Sequence, residues 1–253
     1  MTEVTTEIRD RVMIITLNRP DAMNAVNRVL ADQLGATLER LDSDNSLSVG
    51  VLTGAGRGFC AGMDLKEFVN SGMPNIDGRG FGGIVQTSCK KPLISAVEGF
   101  ALAGGLEIAL ATDIIVAAKG TRLGIPEVSV GLFASAGALL RLPRHLPYSQ
   151  VMKMALTAEP ILAEEAHAFG MVTELCEKGE ALDTAIALAN KIAKNAPLGL
   201  MASKEIIREM QGRTEAEFWE YQSTQLNKVF TSKDGVEGAT AFAEKRTPNW
   251  IGE

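Results

Sequence analysis

Hydrophobic residues along this chain form short unbroken runs and helix-spaced repeats, which predict the order of its secondary structure. Short β-branched runs predict buried strands over 12–17, 48–54, 93–97 and 113–118. Between the first two, Leu30, Leu34 and Leu38 recur at the spacing of one buried helix face, which predicts a helix over 24–42. This alternation predicts an α/β fold of βαβ units, with ligand-binding groups at the strand ends.

The second half of the chain has a helical pattern. After Glu127 the longest strand signal is 171–176, and the predicted helices cover 135–146, 148–158, 162–172, 184–195, 198–210 and 215–230. A Gly-, Pro- and Asn-rich segment, 70–83, predicts a mobile loop near the site, and a short helix is expected just before Lys90. We expect an α/β core over 1–195 and a helical C-terminal region over 196–253.

Charge and hydropathy exclude several classes of protein. The formal net charge is −6 and the pI is near 5.2, whereas nucleic-acid binders and polybasic membrane-surface proteins need clustered Lys and Arg. No uncharged apolar run approaches the ~20 residues of a spanning helix, and the segment after Met1 is polar. We therefore expect a cytoplasmic protein with neither a nucleic-acid nor a membrane partner.

The cysteines predict neither a disulfide framework nor a metal site. There are three, Cys60, Cys89 and Cys176, without CxxC spacing. Cys60 lies in a Gly-rich loop, where a small buried hydrophobic residue is the favoured interpretation over a nucleophile, since His145 and His167 have no recognisable triad context. No other cluster has metal-ligand spacing, so no metal is expected.

The stretch 99–127 is the candidate for chemistry. Small residues, including Gly104 and Gly105, open a helix whose unpaired N–H groups and positive dipole end suit an oxyanion. Glu107 falls in its first turn, and Glu127 follows the next strand, so folding could bring the two carboxylates together. Each has a simpler interpretation, Glu107 as a dipole-stabilised residue and Glu127 as a solvated turn residue. Neither GxGxxG nor GKS/GKT is present, which disfavours those nucleotide folds.

Four separated segments resemble the crotonase, or enoyl-CoA hydratase/isomerase, superfamily. They are LNRPDAMNAV, RGFCAGMDLKEF, KPLISAVEGFALAGGLEIALATDIIVAA with LGIPEVSVGL, and EGATAFAEKRTPNW, and they span nearly the whole chain. The resemblance implies a spiral core of repeated ββα units with a helical C-terminal trimerisation region. It also implies trimers or dimers of trimers, acyl-CoA thioester substrates, and no cofactor beyond the CoA of the substrate.

The resemblance also implies a set of site residues. Glu107 and Glu127 would be the two catalytic glutamates, and the backbone N–H groups of Met63 and Gly104 would form the oxyanion hole. A polyanionic ligand on a chain of net charge −6 requires local cations, and Arg246 is a further candidate there. The expected CoA-binding residues are Arg57, Ala61, Asp64, Leu65, Lys66, Phe242 and Lys245, the basic C-terminal ones reaching a neighbouring subunit's CoA.

The chain departs from the family pattern in two places. The glycine triplet common in hydratases reads Ala103-Gly104-Gly105, which we expect to be tolerated if its first position does not need positive φ. After Glu127, Ala134 and Ser135 replace a Pro and a Gly-rich turn beside the expected acyl pocket. Several details resemble a subgroup containing carnitinyl-CoA dehydratases, so short, polar or charged acyl groups are considered.

The sequence therefore predicts an acyl-CoA hydratase that adds or removes water across a 2-trans double bond. Glu107 would deprotonate water for attack at C3, and Glu127 would deliver the proton to C2. Two alternatives stay open: another crotonase reaction, such as isomerisation or carnitinyl-CoA dehydration, and a catalytically silent acyl-CoA-binding protein.

Overall fold

The computed structural model describes residues 2–87 and 89–253. The strands are β1 Val4–Arg9, β2 Val12–Leu17, β3 Val49–Gly54, β4 Asn75–Ile76, β5 Gly80–Phe81, β6 Leu93–Val97, β7 Phe100–Leu102, β8 Ile114–Ala118, β9 Arg122–Gly124, β10 Ile161–Leu162 and β11 Glu174–Cys176. The α-helices are α1 Arg28–Ser43, α2 Leu65–Ser71, α3 Gly104–Ala111, α4 Ala138–Arg141, α5 Tyr148–Thr157, α6 Ala163–Ala168, α7 Ala181–Ala193, α8 Pro197–Glu209, α9 Glu215–Phe230 and α10 Lys233–Glu244. Short 3-10 helices lie at Pro20–Ala22, Pro126–Val130 and Leu142–Arg144.

The strands are divided between a main sheet and smaller ones. The six-stranded sheet has the order β1-β2-β3-β6-β8-β11, antiparallel only between β1 and β2. A three-stranded sheet has the order β10-β9-β7. Thus β6 and β7 are consecutive in the chain but pair in different sheets, as do β8 and β9. The expected α/β fold of repeated ββα units with a helical C-terminal region is confirmed.

Both faces of the main sheet are covered, which explains the unbroken apolar runs in its strands. Met13, Ile15 and Leu17 of β2 pack on one face in the larger hydrophobic cluster with α1 and α3. The other face carries Val12, and the valines of β3, under the alanines of α7. The loops that build the site thus extend from a rigid support.

The predicted strands are confirmed, but helix α1 begins at Arg28 rather than at residue 24. The Asn24 side chain instead donates to the backbone carbonyls of Ala55, Gly58 and Phe59, at 2.8, 2.9 and 3.1 Å. Asn27 caps the helix, accepting from the Leu30 N–H at 2.8 Å. Short polar side chains that bond to backbone favour turns and caps over helix interiors.

Segment 70–83, for which a mobile loop was predicted, contains a small antiparallel ladder between β4 and β5, and its mobility stays a prediction. The helix expected before Lys90 is wrong: the described residues there form turns and bends, and Ser88 lies outside the described residues. The backbone N–H groups of Lys90 and Lys91 instead donate to the Asp42 carboxylate, at 2.9 and 3.1 Å.

No helix in the part of the chain that the structure describes combines the length and apolar character needed to cross a membrane.

Candidate functional site

A cavity of about 380 Å³ lies beside the first turn of α3. Apart from two glutamates and two serines, its wall is apolar side chains and small residues. The lining residues are Ala61, Met63, Leu65, Phe68, Met73, Phe81, Ala103, Gly104, Glu107, Pro126, Glu127, Ser129, Val130, Leu132, Phe133, Ser135 and Ala136. The cavity therefore brings together the predicted catalytic glutamates and the predicted oxyanion residues.

Glu107 is a buried carboxylate held by backbone. The residue is only 3% exposed, and its Oε1 accepts hydrogen bonds from the N–H groups of Ala136 and Ala138, at 2.7 and 3.0 Å. Burial raises the pKa of Glu107, while these two bonds and the charge of Arg141 act in the opposite direction. The site thus holds the carboxylate in one orientation and favours a basic oxygen.

Glu127 is the second residue of the 3-10 helix after β9. Its Oε2 atom is buried and has no hydrogen-bond partner among the described residues. Burial, with a further contribution from the charge of Glu107, raises the pKa of Glu127 to about 7. A carboxyl group with this pKa can hold or release a proton near neutral pH.

The Met63 and Gly104 amides lie on adjoining turns. The Val26 N–H donates to the Gly62 carbonyl at 2.7 Å, and the Asp64 N–H donates to Val26 at 2.9 Å, which fixes the backbone around Met63. Gly104 is the first residue of α3, so its N–H has no partner in the helix. In the described chain no carbonyl accepts from either amide, which leaves both free for an oxyanion.

Ala103, the residue before Gly104, has φ 50° and ψ −130°. The first position of the Ala103-Gly104-Gly105 triplet therefore does need positive φ, contrary to the condition under which alanine was expected to be tolerated there. Glycine adopts this region of φ/ψ space without strain, whereas alanine does not. The turn nevertheless forms, with the Ala103 N–H donating to the Gly124 carbonyl at 2.9 Å. One strained residue thus lies directly before the amide of Gly104, the predicted oxyanion donor.

The segment that follows Glu127 supplies the backbone amides that hold the Glu107 carboxylate. Ala134 is buried and Ser135 borders the cavity, while the identity of this cavity as the acyl pocket stays a prediction. Sequence reasoning missed that Ala136 and Ala138 provide the two amides that hold Glu107. The signal available was Gly137, which has φ 109° and permits the turn that points both amides inward.

The predicted CoA-binding residues are not all brought to this cavity by one chain. Ala61 and Leu65 line it, whereas Arg57 and Lys66 are exposed outside its wall. Asp64 is used structurally: it caps α2, accepting from the Lys66 and Glu67 N–H groups at 3.2 and 3.4 Å, and pairs with Arg19 at 3.0 Å.

The basic C-terminal residues lie elsewhere in the chain. Phe242 is 88% exposed on α10, and Lys245 ends that helix beside a separate cavity shared with Arg11 and Lys194. Arg246 is paired with Glu237 and with Glu244, each at 2.6 Å. Their contact with CoA stays a prediction that depends on a second subunit.

The cysteines lie buried and unpaired in the described structure. Burial raises the pKa of Cys60 to about 12, so its thiol remains protonated at neutral pH and is a poor nucleophile. No group of three or more His, Cys, Asp or Glu residues arranged to hold a metal ion occurs within 2–87 and 89–253.

Comparisons with known proteins agree on one family. The family model described as enoyl-CoA hydratase/isomerase matches residues 7–253. A carnitinyl-CoA dehydratase of Proteus mirabilis is 37% identical over 96% of both chains, and a 2,3-dehydroadipyl-CoA hydratase of Escherichia coli K12 is 36% identical over the whole of both. The crystal structure of enoyl-CoA hydratase EchA1 from Mycobacterium marinum has a TM-score of 0.96 and 53% identity, covering 99% of each chain.

Proposed function

Since this chain belongs to the enoyl-CoA hydratase/isomerase family and is an acyl-CoA hydratase, we propose that Glu107 and Glu127 carry its proton transfers. The family resemblance, including its carnitinyl-CoA dehydratase-like neighbours, is confirmed. The observation that carries the proposal is the pair of glutamates in one apolar cavity, one bonded by two amides and the other with a buried, unpartnered oxygen.

The two environments suit different roles. Glu107, whose charged form is stabilised by two N–H donors, orients a water molecule and accepts its proton as the oxygen attacks C3 of the enoyl thioester. Glu127, whose pKa of about 7 keeps a large fraction protonated at neutral pH, delivers a proton to C2. The bonds formed are C3–O and C2–H, and the bonds broken are the π bond between C2 and C3, one O–H bond of water and the O–H bond of Glu127. The proton that Glu107 gains returns to Glu127 before the next turnover. Dehydration runs through the same steps in reverse.

Negative charge develops on the thioester oxygen during this reaction. The N–H groups of Met63 and Gly104 are the donors proposed to stabilise it. Because both are backbone amides fixed by neighbouring turns, they need no reorganisation when the charge appears. Removing one such donor typically costs ~10²- to 10³-fold in kcat.

The acyl group we propose is apolar and uncharged. Leu65, Met73, Val130 and Phe133 line the cavity and are partly exposed at its edge. Within the described residues the wall contains no Lys, Arg or His, so a terminal carboxylate like that of an adipyl group would be buried without a counter-charge. Carnitinyl-CoA dehydration stays the second candidate, since relatives with that name match nearly the whole chain.

A trimer or a dimer of trimers is the assembly we propose. In the single chain Trp219, Phe230 and Phe242 are 56%, 72% and 88% exposed on the C-terminal helices. Apolar side chains this exposed are commonly covered by another subunit. In such an assembly Phe242 and Lys245 would contact the CoA bound by a neighbouring subunit.

Substitutions of the two glutamates test the proposal. Glu107→Gln and Glu127→Gln preserve shape but remove proton transfer, so each is expected to lower kcat for crotonyl-CoA by ~10²- to 10⁴-fold. The matched control is Glu220→Gln, at an exposed position of α9. Hydration is followed by loss of the enoyl thioester absorbance, and binding of butyryl-CoA is measured by calorimetry.

The outcomes separate the alternatives. Near-normal turnover by either variant would remove that glutamate from the mechanism. A wild-type protein that binds butyryl-CoA tightly but leaves the absorbance of every enoyl-CoA tested unchanged would support the silent acyl-CoA-binding protein.

A further inference from the structure

Arg141, the last residue of α4, lies behind the turn that holds Glu107. Its Nη2 donates to the Val85 carbonyl at 2.6 Å, and its Nη1 donates to the Ala136 carbonyl at 3.5 Å. Ala136 is the same residue whose N–H binds Glu107 at 2.7 Å. One guanidinium therefore joins the segment after β5 to the turn that orients Glu107.

The turn itself is shaped around this guanidinium. Gly137 has φ 109°, and a Cβ at that position would collide with Arg141 Nη1. The two amides that bind Glu107, from Ala136 and Ala138, flank this glycine. The absence of a side chain at Gly137 thus leaves room for the guanidinium beside the residues that carry both donors.

We propose that Arg141 is a positioning residue, which holds the 136–138 turn against Glu107 and, through its uncancelled charge, keeps that carboxylate ionised to accept the proton of water. The inference rests on the proposed role of Glu107. It assigns to Arg141 a function in the reaction although its side chain lines no part of the described cavity wall.

The charge of Arg141 is available to act on Glu107. Both acceptors of its hydrogen bonds are neutral carbonyls, so neither bond neutralises it. The other charged groups around the pair are Glu127, whose 3-10 helix faces the same cavity, and Arg144 and Arg208, which lie beside Arg141. Burial raises the pKa of Glu107 and Arg141 opposes that rise, so loss of the cation moves the pKa further up.

Three substitutions separate the effect of the two Arg141 hydrogen bonds from the effect of its charge. Arg141→Lys keeps the charge but replaces the two nitrogens that make the hydrogen bonds with a single ammonium nitrogen on a flexible stem. Arg141→Gln retains an amide donor without the charge, and Arg141→Met removes both. The matched control is Arg144→Met, which removes a neighbouring exposed cation.

The pH dependence of kcat/KM for crotonyl-CoA is the decisive measurement. The acidic limb is expected to move to higher pH in Arg141→Gln and Arg141→Met, and a shift of one pH unit lowers activity about tenfold below that limb. Arg141→Lys is expected to keep the wild-type limb while losing kcat by a similar factor at every pH. Arg144→Met is expected to keep both.

A second comparison distinguishes failure of this inference from failure of the proposed function. In the Glu107→Gln background, Arg141→Lys is expected to cause no further loss of kcat, because no carboxylate remains to be positioned. A full additional loss there, or a wild-type pH profile and kcat in Arg141→Met, would overturn the role of Arg141. Near-normal activity of Glu107→Gln alone would instead overturn the proposed function. If Arg141→Met fails to fold, Arg141→Lys and the double variant decide.

Discussion

The amide nitrogen of Gly104 lies 3.2 Å from the point that a Cβ on Gly62 would occupy. That Cβ would also lie 2.7 Å from the Cβ of Ala103. Gly62 is therefore what allows the turn carrying the Met63 amide to approach the turn carrying the Gly104 amide. The distance between the two proposed oxyanion donors therefore depends on residue 62 being a glycine.

Gly62→Ala is expected to lower kcat by ~10²- to 10³-fold, because the new methyl group pushes the two amides apart. Gly120→Ala is the matched control: Gly120 also has positive φ, 77°, but a Cβ added there would meet nothing within 4 Å. Both variants lose stability through backbone strain, which urea unfolding measures. Equal kcat in the two variants would contradict the role given to the Gly62 contact.

Ala103→Gly is expected to stabilise the protein by about 1 kcal/mol or more, because glycine adopts φ 50°, ψ −130° without strain. The comparison is Ala239→Gly on α10, an exposed helical position where glycine should cost about 1 kcal/mol. Urea unfolding measures both. If both variants lose stability alike, the backbone at Ala103 is not strained.

The raised pKa of Glu127 makes stability depend on pH. Between the ordinary value of 4.5 and about 7 the folded protein holds a proton that the unfolded chain releases, so the free energy of unfolding falls as pH rises through this window. Glu127→Gln removes this contribution and is expected to be more stable than the wild type at pH 8. The gain should shrink towards pH 4.5.

Urea unfolding at several pH values between 4.5 and 8 measures this dependence. Some slope is expected to persist in Glu127→Gln, because the pKa of buried Glu107 is raised as well. Glu220→Gln is the control and should follow the wild type. A pH-independent difference between Glu127→Gln and the wild type would contradict the assigned pKa.

Acyl selectivity follows from the absence of a cation in the described cavity wall. Crotonyl-CoA and 2-hexenoyl-CoA are expected to be hydrated with higher kcat/KM than 2,3-dehydroadipyl-CoA, because burying an unpaired carboxylate is costly. Val130→Arg, at the partly exposed edge, is expected to raise the relative kcat/KM for the dicarboxylic substrate. Val69→Arg, exposed on α2 outside the wall, is its control. A wild-type preference for 2,3-dehydroadipyl-CoA would overturn the proposed acyl class.

Lys245→Ala is expected to raise KM for acyl-CoA, more at low than at high salt, with a smaller effect on kcat. Lys178→Ala, at another exposed lysine, is the control.

Light scattering should return the mass of three or six chains, and removal of the residues after Val229 should reduce both assembly and CoA affinity. A mass near the 27.0 kDa of one chain in active enzyme would refute the assembly.

The sequence predicted the parts of the fold that depend on local hydrophobic patterns. The strands at Val12–Leu17 and Leu93–Val97 have continuous apolar runs because both sheet faces are covered, and they lie where expected. What it could not predict are contacts between distant segments. Asn24 and Asp42 withdraw the segments before Arg28 and around Lys90 from helical structure by bonding to backbone far along the chain.

The site shows the same division. Glu107 and Glu127 were predicted, and the structure places them in one cavity. The support of Glu107 was missed because it is made by backbone amides, which any residue type can supply and no side-chain pattern identifies. The positive φ of Ala103 was also beyond prediction, since alanine ordinarily avoids that conformation.

Helix α7 follows every strand of the main sheet in the chain, so it is synthesised after all of them. Its alanines, Ala181, Ala185 and Ala189, cover the face of the parallel sheet that carries Val12 and Val51. A ribosome that has released only the residues up to β11 has therefore already exposed every strand of that sheet while its cover is missing. For that interval the nascent chain presents a broad β surface of the kind that aggregates or recruits chaperones. The sheet from which the site's loops extend is therefore covered on this face only after α7 has emerged.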